Sequence, residues 1–459
     1  MREARRERRR GEPFAYRRFS VSPRGHPGSG RGVRGVREEL VSEDPLDWPG
    51  YEEQLKRARE KSGEKEAAIV GEARIGETPV IIIAFDFDFL GGSMGEAVGD
   101  KIVEAFARAR QFRKVIVSLV ATGGARMQEG MRSLVQLQRI ANACARIHAE
   151  GVPHVGVLRH PTTGGVWVSL AATADYLIGV KGAAMSFAGS RVREGDEEGE
   201  AFTSAGKRRR GFIDLELEAE EVPEHLATIV ALLSPDGEGP SAPPELPAAL
   251  GRPIPPEEAW DSVERARSSA RPHATAYLDD YFEESVRIFG DRVGGVDESM
   301  LCGFGRRKGR TIAYAAQCNA MNSSAGFRTA RRLLNLAERL RLPVLTLIDT
   351  PGAGNEEKDE QEGVGTAIAE LFCTVASLSV PMTSLVIGEG GSGGALALAS
   401  PDNLWITPEG YFAVIAPESA AAILEHDPCR AEEVSEDMRL MPQDLVRLGI
   451  VRGIATPKT

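Results

Sequence analysis

An internal repeat of glycine-rich turns is the sequence feature that most restricts how this chain can fold. Three landmarks recur downstream at a nearly constant offset: Gly124-Ala125 and Gly352-Ala353 (353 − 125 = 228), Gly164-Gly165 and Gly393-Gly394 (393 − 164 = 229), and Ala188-Gly189 and Ala416-Pro417 (416 − 188 = 228). A single Gly-Gly pair means little among 50 glycines. Three landmarks at nearly one spacing indicate that the chain contains two copies of the same structural unit.

The turns follow short apolar runs rich in β-branched residues, which are typical of buried strands. Stretches with apolar residues at helical spacing lie between these runs, and the alternation predicts an α/β fold with covered sheets. The predicted strands cover residues 79–85, 115–120, 154–158, 311–316, 344–348 and 383–387, and the predicted helices cover residues 131–148, 326–340 and 363–376.

Composition divides the chain into four segments. Residues 1–40 are rich in arginine and are predicted to be a disordered leader, with a polyanion-binding tail as the alternative. Residues 41–235 form the predicted first domain and residues 273–459 the predicted second domain. Residues 236–272 are predicted as a linker, because residues 236–256 are crowded with proline, glycine and glutamate.

Charge and cysteine usage argue against several classes of protein. A net charge of −11 argues against a general nucleic-acid binder. Apolar runs stay shorter than the ~20 residues of a membrane helix, and the N-terminus lacks the apolar core of a secretory signal. The five cysteines form no CxxC pair, so neither a zinc ribbon nor a disulfide framework is predicted, and a reducing cytoplasm fits best.

The glycine pairs are predicted to lie where ligands collect in α/β folds, at the carboxyl end of a strand and just before a helix. Glycine permits positive φ and close approach of a ligand, and the first helical turn offers free N–H groups. Both pairs are therefore predicted to donate hydrogen bonds to a developing oxyanion. The alternative is that these glycines only allow a helix to pack closely on a strand. Residues 388–395 lack the Gly-Lys-Ser/Thr ending of a P-loop, so ATP binding is not predicted.

Longer strings around these turns resemble the carboxyltransferase of bacterial acetyl-CoA carboxylase, with its β and α subunits fused in one chain. The first copy resembles the β subunit and the second copy the α subunit, in the family's order across about residues 40–455. The matching strings are FLGGSMG at 89–95, GGARMQEG at 123–130, PTTGG at 161–165, SFAGSRV at 186–192, IDTPGA at 348–353, IGEGGSGGA at 387–395 and IAPE at 415–418.

The resemblance implies two tandem crotonase-like domains that transfer a carboxyl group from carboxybiotin to acetyl-CoA or a short acyl-CoA, giving malonyl-CoA. Gly164 and Gly165 are then expected to bind the thioester oxygen, and Gly393 and Gly394 the ureido oxygen of biotin. The other substrate-binding residues expected from the motifs are Gly123, Gly124, Ala125, Ala188 and Gly189 on the acyl-CoA side and Gly352, Ala353 and Gly391 on the biotin side.

No side-chain base is evident beside either turn. His160 and Glu389 lie next to the motifs, but a surface histidine and a helix N-terminal carboxylate are the favoured interpretations. Arg126 and Glu129 are predicted to form an i,i+3 ion pair rather than a catalytic pair. The biotin anion left after CO₂ departs is instead expected to take the acyl α-proton.

Several segments depart from the family's pattern. The Arg-rich leader stands where the family has a four-cysteine zinc ribbon, and it holds no cysteine, so zinc is not expected. No covalently bound cofactor is expected either. Residues 317–324 replace a Lys/Arg-rich stretch, and Gly354 replaces an aromatic residue ahead of an acidic loop. The basic run 207–210 could reach CoA phosphates, although a solvated face is the favoured interpretation.

The chain lacks a biotin-accepting Met-Lys-Met and an ATP-grasp signature, so biotin carboxyl carrier protein and biotin carboxylase are expected as separate partners. The resemblance implies a cytoplasmic homodimer or larger assembly that binds acyl-CoA, and neither nucleic acid nor a membrane is expected as a partner. Two other functions stay open. One is a biotin-independent malonyl-thioester decarboxylase, which the altered stretch 317–325 would suit, and the other is a non-catalytic scaffold of a carboxylase complex.

Overall fold

The computed structural model describes residues 34–189, 199–234 and 242–457, so most of the predicted leader lies outside the described residues. The strands are β1 (Arg34–Gly35), β2 (Ala68–Ile75), β3 (Thr78–Phe85), β4 (Val115–Thr122), β5 (His154–Thr163), β6 (Tyr176–Val180), β7 (Met185–Ser186), β8 (Leu215–Leu217), β9 (Glu284–Ile288), β10 (Met300–Arg307), β11 (Arg310–Gln317), β12 (Val344–Thr350), β13 (Met382–Gly391), β14 (Leu404–Ile406) and β15 (Tyr411–Ala413).

Helices alternate with these strands, as the sequence pattern predicts. The α-helices are α1 (Tyr51–Ser62), α2 (Glu96–Phe112), α3 (Met131–Leu134), α4 (Gln136–Ala149), α5 (Ser204–Arg209), α6 (Val222–Leu233), α7 (Ala259–Arg267), α8 (Ala274–Tyr281), α9 (Ser324–Leu340), α10 (Glu357–Gln361), α11 (Val364–Ser377), α12 (Ser392–Leu396), α13 (Pro417–Leu424), α14 (Ala431–Asp437) and α15 (Pro442–Arg447). A π-helix covers Trp167–Ala171. Among the described residues, no helix is both long and apolar enough to cross a membrane.

The chain divides into two compact units. The first comprises the described residues of Met1–Arg208 and Ile213–Pro235, and the second comprises those of Arg209–Phe212 and Asp236–Thr459. The segment predicted as a linker contains α7, whose buried residues pack with Tyr411 and Leu440 in a core cluster of the second unit.

The first unit contains an eight-stranded sheet in the order β1-β2-β3-β4-β5-β6-β8, with β7 beside β5. β3 to β6 and β8 are parallel, whereas β1, β2 and β3 pair antiparallel. Every residue of β4 is buried, as expected for a parallel strand covered on both faces. The carboxyl ends of β4 and β5 therefore lie side by side at one edge of the sheet.

The second unit contains a seven-stranded sheet in the order β14-β13-β12-β11-β10-β9, with β15 beside β13. β11 to β15 pair in parallel, and β9 to β11 pair antiparallel. β12 is buried along its whole length, like β4 in the first unit. The prediction of an α/β fold built from two copies is confirmed.

The strand register repeats between the units. Each central pair of parallel strands has an irregularity near its carboxyl end, after which Thr122 pairs with Thr162 and Thr350 pairs with Gly390. The two residues of the pair in the second unit lie 228 positions after their counterparts in the first unit (350 − 122 = 228 and 390 − 162 = 228). The repeat seen in the glycine spacing is therefore a repeat of backbone register.

Candidate functional site

The first-unit turns, residues 122–126 and 163–166, follow β4 and β5 and press against each other. Gly124 has φ 106° and Gly164 has φ 76°, a region that favours glycine. A Cβ atom added to Gly164 would lie 2.7 Å from the Cα atom of Gly124. Backbone conformation and close packing both require glycine here.

Two N–H groups of the first-unit turns already have acceptors inside the protein. Gly124 N–H donates to Thr122 Oγ1 at 3.0 Å. Gly164 N–H donates to the carbonyl oxygens of Ser186 and Phe187, at 3.2 and 3.0 Å. Gly164, predicted from sequence as an oxyanion donor, therefore directs its N–H to the neighbouring chain segment.

Ala125 and Gly165 have N–H groups that make no hydrogen bond within the described part of the chain. Ala125 forms a parallel bridge with Met94. Met94 N–H donates to the Gly124 carbonyl at 2.8 Å, and Arg126 N–H donates to the Met94 carbonyl at 2.9 Å. In parallel pairing, hydrogen bonds to one partner come from the residues on either side of the bridged residue. The Ala125 N–H therefore points away from Met94, towards the side of β5, where Gly165 follows the strand.

The remaining glycine of the first motif, Gly123, is exposed. Its N–H donates to the Gly91 carbonyl at 2.9 Å. Gly123 therefore ties the turn after β4 to the loop after β3 and is not a free donor.

The second-unit turns, residues 350–354 and 391–394, repeat this hydrogen-bond pattern. Gly352 N–H donates to Thr350 Oγ1 at 3.0 Å. Asn322 N–H donates to the Gly352 carbonyl at 3.1 Å, and Gly354 N–H donates to the Asn322 carbonyl at 2.8 Å. Ala353 is thereby bridged to Asn322, and its own N–H makes no hydrogen bond within the described residues.

Gly393 and Gly394 have different surroundings at the start of α12. No atom lies within 4 Å of a Cβ added to Gly393, whereas a Cβ added to Gly394 would lie 2.5 Å from the Ala353 nitrogen. A Cβ added to Gly391 would lie 2.1 Å from the Pro351 carbonyl oxygen. Gly391 and Gly394 pack the second-unit turns together, and Gly393 faces open space with an N–H that has no acceptor in the described chain.

Backbone conformation corrects the sequence pairing of the glycines by one residue. Ser392 has φ 54°, like Gly164 at φ 76°, and the two are separated by the offset of the strand register (392 − 164 = 228). Gly165 then corresponds to Gly393 (393 − 165 = 228). The pairing of Gly164 with Gly393 failed because a serine occupies the left-handed position in the second copy.

The motif around the third landmark, Ala188-Gly189, contacts the first-unit turns, because the Ser186 and Phe187 carbonyls accept the Gly164 N–H. Ser186 Oγ donates to the Ala188 carbonyl at 2.7 Å, and a Cβ added to Gly189 would meet no atom within 4 Å. Residues 190–192 of this motif lie outside the described residues. In the second unit, Ala416 is the N-cap residue of α13.

The ion pair predicted between Arg126 and Glu129 is confirmed, at 3.1 Å between buried side chains. Arg126 also pairs with Glu66 at 2.6 Å, and Tyr51 donates to Glu129 at 2.6 Å. Burial disfavours the charge on Arg126, but Glu66, Tyr51 and Glu129 together outweigh burial and raise the pKa of Arg126. Burial likewise opposes ionisation of Glu66, yet Arg126 holds the pKa of that carboxyl below its usual value. The cluster fixes the chain directly after Ala125.

A different buried cluster supports the second-unit turns. Asp349, at the end of β12, pairs with Arg271 at 2.6 Å and accepts a hydrogen bond from Glu389 N–H at 3.2 Å. The Glu389 carboxylate accepts from Tyr411, and Arg267 lies 3.4 Å from it. Burial is the largest of the effects that raise the pKa of Tyr411. Glu389 lies inside β13, so its interpretation as a helix N-terminal carboxylate was wrong.

The other titratable candidates have structural partners too. His160 Nδ1 accepts a hydrogen bond from Ala184 N–H at 3.2 Å, and partial burial lowers the pKa of its ring, which favours the neutral form. The basic run begins in α5, where burial lowers the pKa of Lys207.

The stretch that departs from the family's basic pattern contacts the second-unit turns. Gln317 Nε2 donates to the Gly394 carbonyl at 2.9 Å, and Asn322 Nδ2 donates to Ser299 Oγ at 2.9 Å. Gly354 lies against the acidic loop, where an added Cβ would lie 2.4 Å from the Asp359 carboxyl, so that side chain would have to move. The loop itself folds into α10 with a capping box.

Sequence reasoning missed Glu66, Arg271 and Gln317, since their partners lie far away along the chain. Among the described residues, no group of three histidine, cysteine, aspartate or glutamate side chains is placed to hold a metal ion.

Comparison with known proteins places these turns in a family. Residues 257–458 match the family model described as acetyl co-enzyme A carboxylase carboxyltransferase-like. The acetyl-coenzyme A carboxylase carboxyl transferase subunits beta/alpha of Saccharopolyspora erythraea are 36% identical, over 88% of this chain and 74% of the relative. The same-named protein of Salinispora tropica is 39% identical, over 88% of this chain and 75% of the relative.

Solved structures confirm the fold class. Transcarboxylase 12S, with hydrolysed methylmalonyl-coenzyme A bound, superposes with a TM-score of 0.73 at 20% identity, covering 86% of this chain and 80% of the other. A single-chain, multi-domain long-chain acyl-CoA carboxylase gives 0.69 at 18% identity, covering 86% and 41%. The crotonase-like fold expected for both copies is confirmed. With relatives this similar across most of its length, the chain belongs to the acetyl-CoA carboxylase carboxyltransferases, a family of biotin-dependent acyl-CoA carboxyltransferase enzymes.

Proposed function

We propose that this chain transfers the carboxyl group of carboxybiotin, held on a separate carrier protein, to acetyl-CoA and so forms malonyl-CoA. The observation that carries the proposal is a repeated pair of N–H groups without acceptors in the described chain, Ala125 with Gly165 and Ala353 with Gly393. A reaction in which two different oxygens gain negative charge is served by two such donor pairs.

The first unit is the acyl-CoA side in this proposal and the second unit is the biotin side. This assignment rests on the resemblance of the first copy to the β subunit and of the second copy to the α subunit. It gives residues 41–235 the thioester and residues 273–459 the ureido ring. Gly164 then acts by packing the donor residues into place, because its N–H donates to Ser186 and Phe187. Gly394 packs against Ala353, and its own N–H makes no hydrogen bond within the described residues.

The donor pairs act on opposite ends of one balanced reaction. Ala353 and Gly393 stabilise charge on the ureido oxygen when the N–C bond of carboxybiotin breaks and CO₂ leaves. Ala125 and Gly165 stabilise the thioester oxygen when the α-proton passes to the ureido group. The enolate carbon then bonds to CO₂, so carboxybiotin and acetyl-CoA become biotin and malonyl-CoA. Each donor in such a site is worth about 2.7–4 kcal/mol of barrier.

The surrounding side chains support proton transfer to biotin itself. His160 uses Nδ1 to accept from Ala184, and its lowered pKa favours the neutral ring. Glu389 is tied to Tyr411 and Arg267. Since both carboxylate and imidazole have structural partners, the ureido group is the proposed base.

Reconstitution tests the proposal directly. The protein is mixed with biotinylated carrier protein, biotin carboxylase, ATP, bicarbonate and acetyl-CoA, and malonyl-CoA is measured by mass spectrometry. Propionyl-CoA and butyryl-CoA run in parallel report the acyl preference. Absence of carboxylated product with every carrier and acyl-CoA would overturn the proposal. Loss of malonyl-CoA in the absence of biotin would instead indicate a decarboxylase, and Gly393→Val should then have little effect.

The proposed partners follow from the same chemistry. Biotin carboxyl carrier protein and biotin carboxylase supply carboxybiotin on other chains, and the enzyme is proposed to assemble as a homodimer or larger. Light scattering of the purified protein measures the assembly, and a monomer at working concentration would contradict this part.

A further inference from the structure

Gln317 is a buried polar residue of the second unit that no step of the proposed reaction uses. It is the last residue of β11 and has 0% exposure. Its Nε2 donates to the Gly394 carbonyl at 2.9 Å, and its Oε1 has no partner in the described chain. Turning the amide over would bring two acceptors together, so the hydrogen bond determines its orientation. Resting on the proposed function, we infer that Gln317 is a positioning residue for the biotin-side donor pair.

Gly394 lies next to both proposed donors of the second unit, Gly393 and Ala353. It directly follows Gly393, and a Cβ added to Gly394 would lie 2.5 Å from the Ala353 nitrogen. A shift of the Gly394 peptide would therefore move the Gly393 N–H and disturb the packing beside the Ala353 N–H. Gln317 controls both donors because it holds that peptide by its carbonyl oxygen.

The helix that carries Gly394 cannot hold this position by itself. α12 has five residues, far fewer than the ~12–15 at which an isolated helix becomes even marginally stable. Beyond its end, the Leu398 carbonyl accepts hydrogen bonds from Thr346 Oγ1 at 2.7 Å and Ser384 Oγ at 3.1 Å. Gln317 provides the matching side-chain contact at its first turn.

The first unit has no such contact at the corresponding position. Ala84 pairs with Leu119 in β3 and β4, and Ala316 pairs with Leu347 in β11 and β12, at the register offset of the repeat (347 − 119 = 228). The next residue, Phe85 in the first copy, corresponds to Gln317. Phe85 is fully buried and cannot donate from its side chain. The hydrogen bond therefore belongs to the biotin side alone, where it serves the geometry of one substrate.

Stability alone does not account for a glutamine at this position. The buried Oε1 without a partner destabilises the folded protein, and leucine removes that penalty. Leucine also leaves the buried Gly394 carbonyl without its donor, so some loss of stability is expected. A control variant that loses an equivalent hydrogen bond elsewhere separates this loss of stability from an effect on activity.

The experiment compares Gln317→Leu with Gln443→Leu in the full chain. Gln443, a half-buried residue of α15, is similar, because its Nε2 donates to the Pro256 carbonyl at 2.8 Å and to Met441 Sδ at 3.4 Å, and its Oε1 has no partner in the described residues. Initial rates are measured against carboxylated carrier and against acetyl-CoA, acetyl-CoA affinity is measured by calorimetry, and melting temperature is recorded. For Gln317→Leu, kcat should fall by about tenfold or more, as small misplacements of reacting groups do. Acetyl-CoA affinity should match the wild type, and melting temperature should fall by a similar small amount in both variants, because each leaves one carbonyl without its donor. Gln443→Leu should nevertheless keep wild-type rates.

A second variant guards against a folding failure. Gln317→Glu places a carboxyl group that can donate to the Gly394 carbonyl only when it is protonated. Its activity should therefore rise as the pH is lowered, relative to the wild type. Wild-type rates in Gln317→Leu, or an equal loss in Gln443→Leu, would overturn the inference. So would a Gln317→Glu pH profile parallel to that of the wild type. An inactive wild type would count against the proposed function rather than against Gln317.

Discussion

Gly393 and Gly394 allow a paired test, because the same substitution meets open space at one position and backbone at the other. A methyl group at residue 393 would have no atom within 4 Å, so Gly393→Ala should leave the free energy of unfolding unchanged or raise it by about 0.5–1 kcal/mol. A methyl group at residue 394 would lie 2.5 Å from the Ala353 nitrogen and 2.7 Å from the Gly352 carbonyl carbon. Backbone must move to relieve that contact, and overpacking of this kind costs about 1–3 kcal/mol.

Catalysis should be slowed in both variants, including Gly393→Ala, which should keep its stability. In Gly393→Ala the new methyl group enters the open space where the ureido oxygen is proposed to bind, and it lengthens the hydrogen bond from the Gly393 N–H. Loss of one such donor typically lowers kcat by about 100-fold or more, or about 2.7 kcal/mol of barrier. Urea unfolding and the malonyl-CoA assay measure the two effects on the same preparations. Gly393→Ala should be stable and slow, whereas Gly394→Ala should be both destabilised and slow.

Either of two results would refute this reasoning. If Gly393→Ala retains the wild-type kcat and KM for carboxylated carrier at unchanged stability, the open face of the second-unit turns is not where biotin reacts. If Gly393→Ala unfolds as easily as Gly394→Ala, the glycine at 393 serves packing, which was the alternative explanation for these residues.

Three further perturbations follow from the first unit. Arg126→Met leaves two buried carboxylates without their partner, so it should lower the free energy of unfolding by about 3–5 kcal/mol in urea titrations. A free energy of unfolding close to that of the wild type would show that the cluster is solvated. Because Arg126 lowers the pKa of Glu66 below 4.5, the wild-type contribution is present above that pH and is lost as the pH falls through the folded pKa, so acid unfolding reports it. Gly164→Ala combines φ 76° with a Cβ 2.7 Å from Gly124 and should lower both melting temperature and acetyl-CoA affinity, measured by calorimetry. His160→Gln should leave the pH dependence of kcat unchanged; a lost ionisation in the profile would identify His160 as the base.

The repeat could be predicted from the sequence because it depends on residues with special backbone requirements. Gly124 and Gly352 have φ values of 106° and 145°, which side chains rarely adopt, so both copies retain glycine. The sequence comparison paired Gly164 with Gly393 instead of Ser392, because it assumed that glycine occupies every left-handed position. Ser392 takes a left-handed conformation at φ 54° without being a glycine, and the search for Gly-Gly pairs then matched Gly164 to the next available glycine.

The supports of the turns could not be predicted, because they join residues distant along the chain. Arg126 and Glu66 are 60 residues apart, and Arg271 and Asp349 are 78 apart. Nothing in local spacing identifies such pairs, although a buried charge must find a partner once the sheet is formed.

These supports also explain how two copies of one backbone arrangement come to differ. Arg126, which is clamped between two carboxylates after the first turn, corresponds by the repeat to Gly354 (354 − 126 = 228). The second copy therefore has no cation at that position and relies on Asp349 and on Gln317 instead. The N–H donors are backbone groups and persist through any exchange of side chains, whereas the buried side chains behind them are free to diverge. A duplicated unit can in this way keep the N–H groups proposed as oxyanion donors, while each copy comes to fit the different substrate oxygen that the proposed function assigns to it.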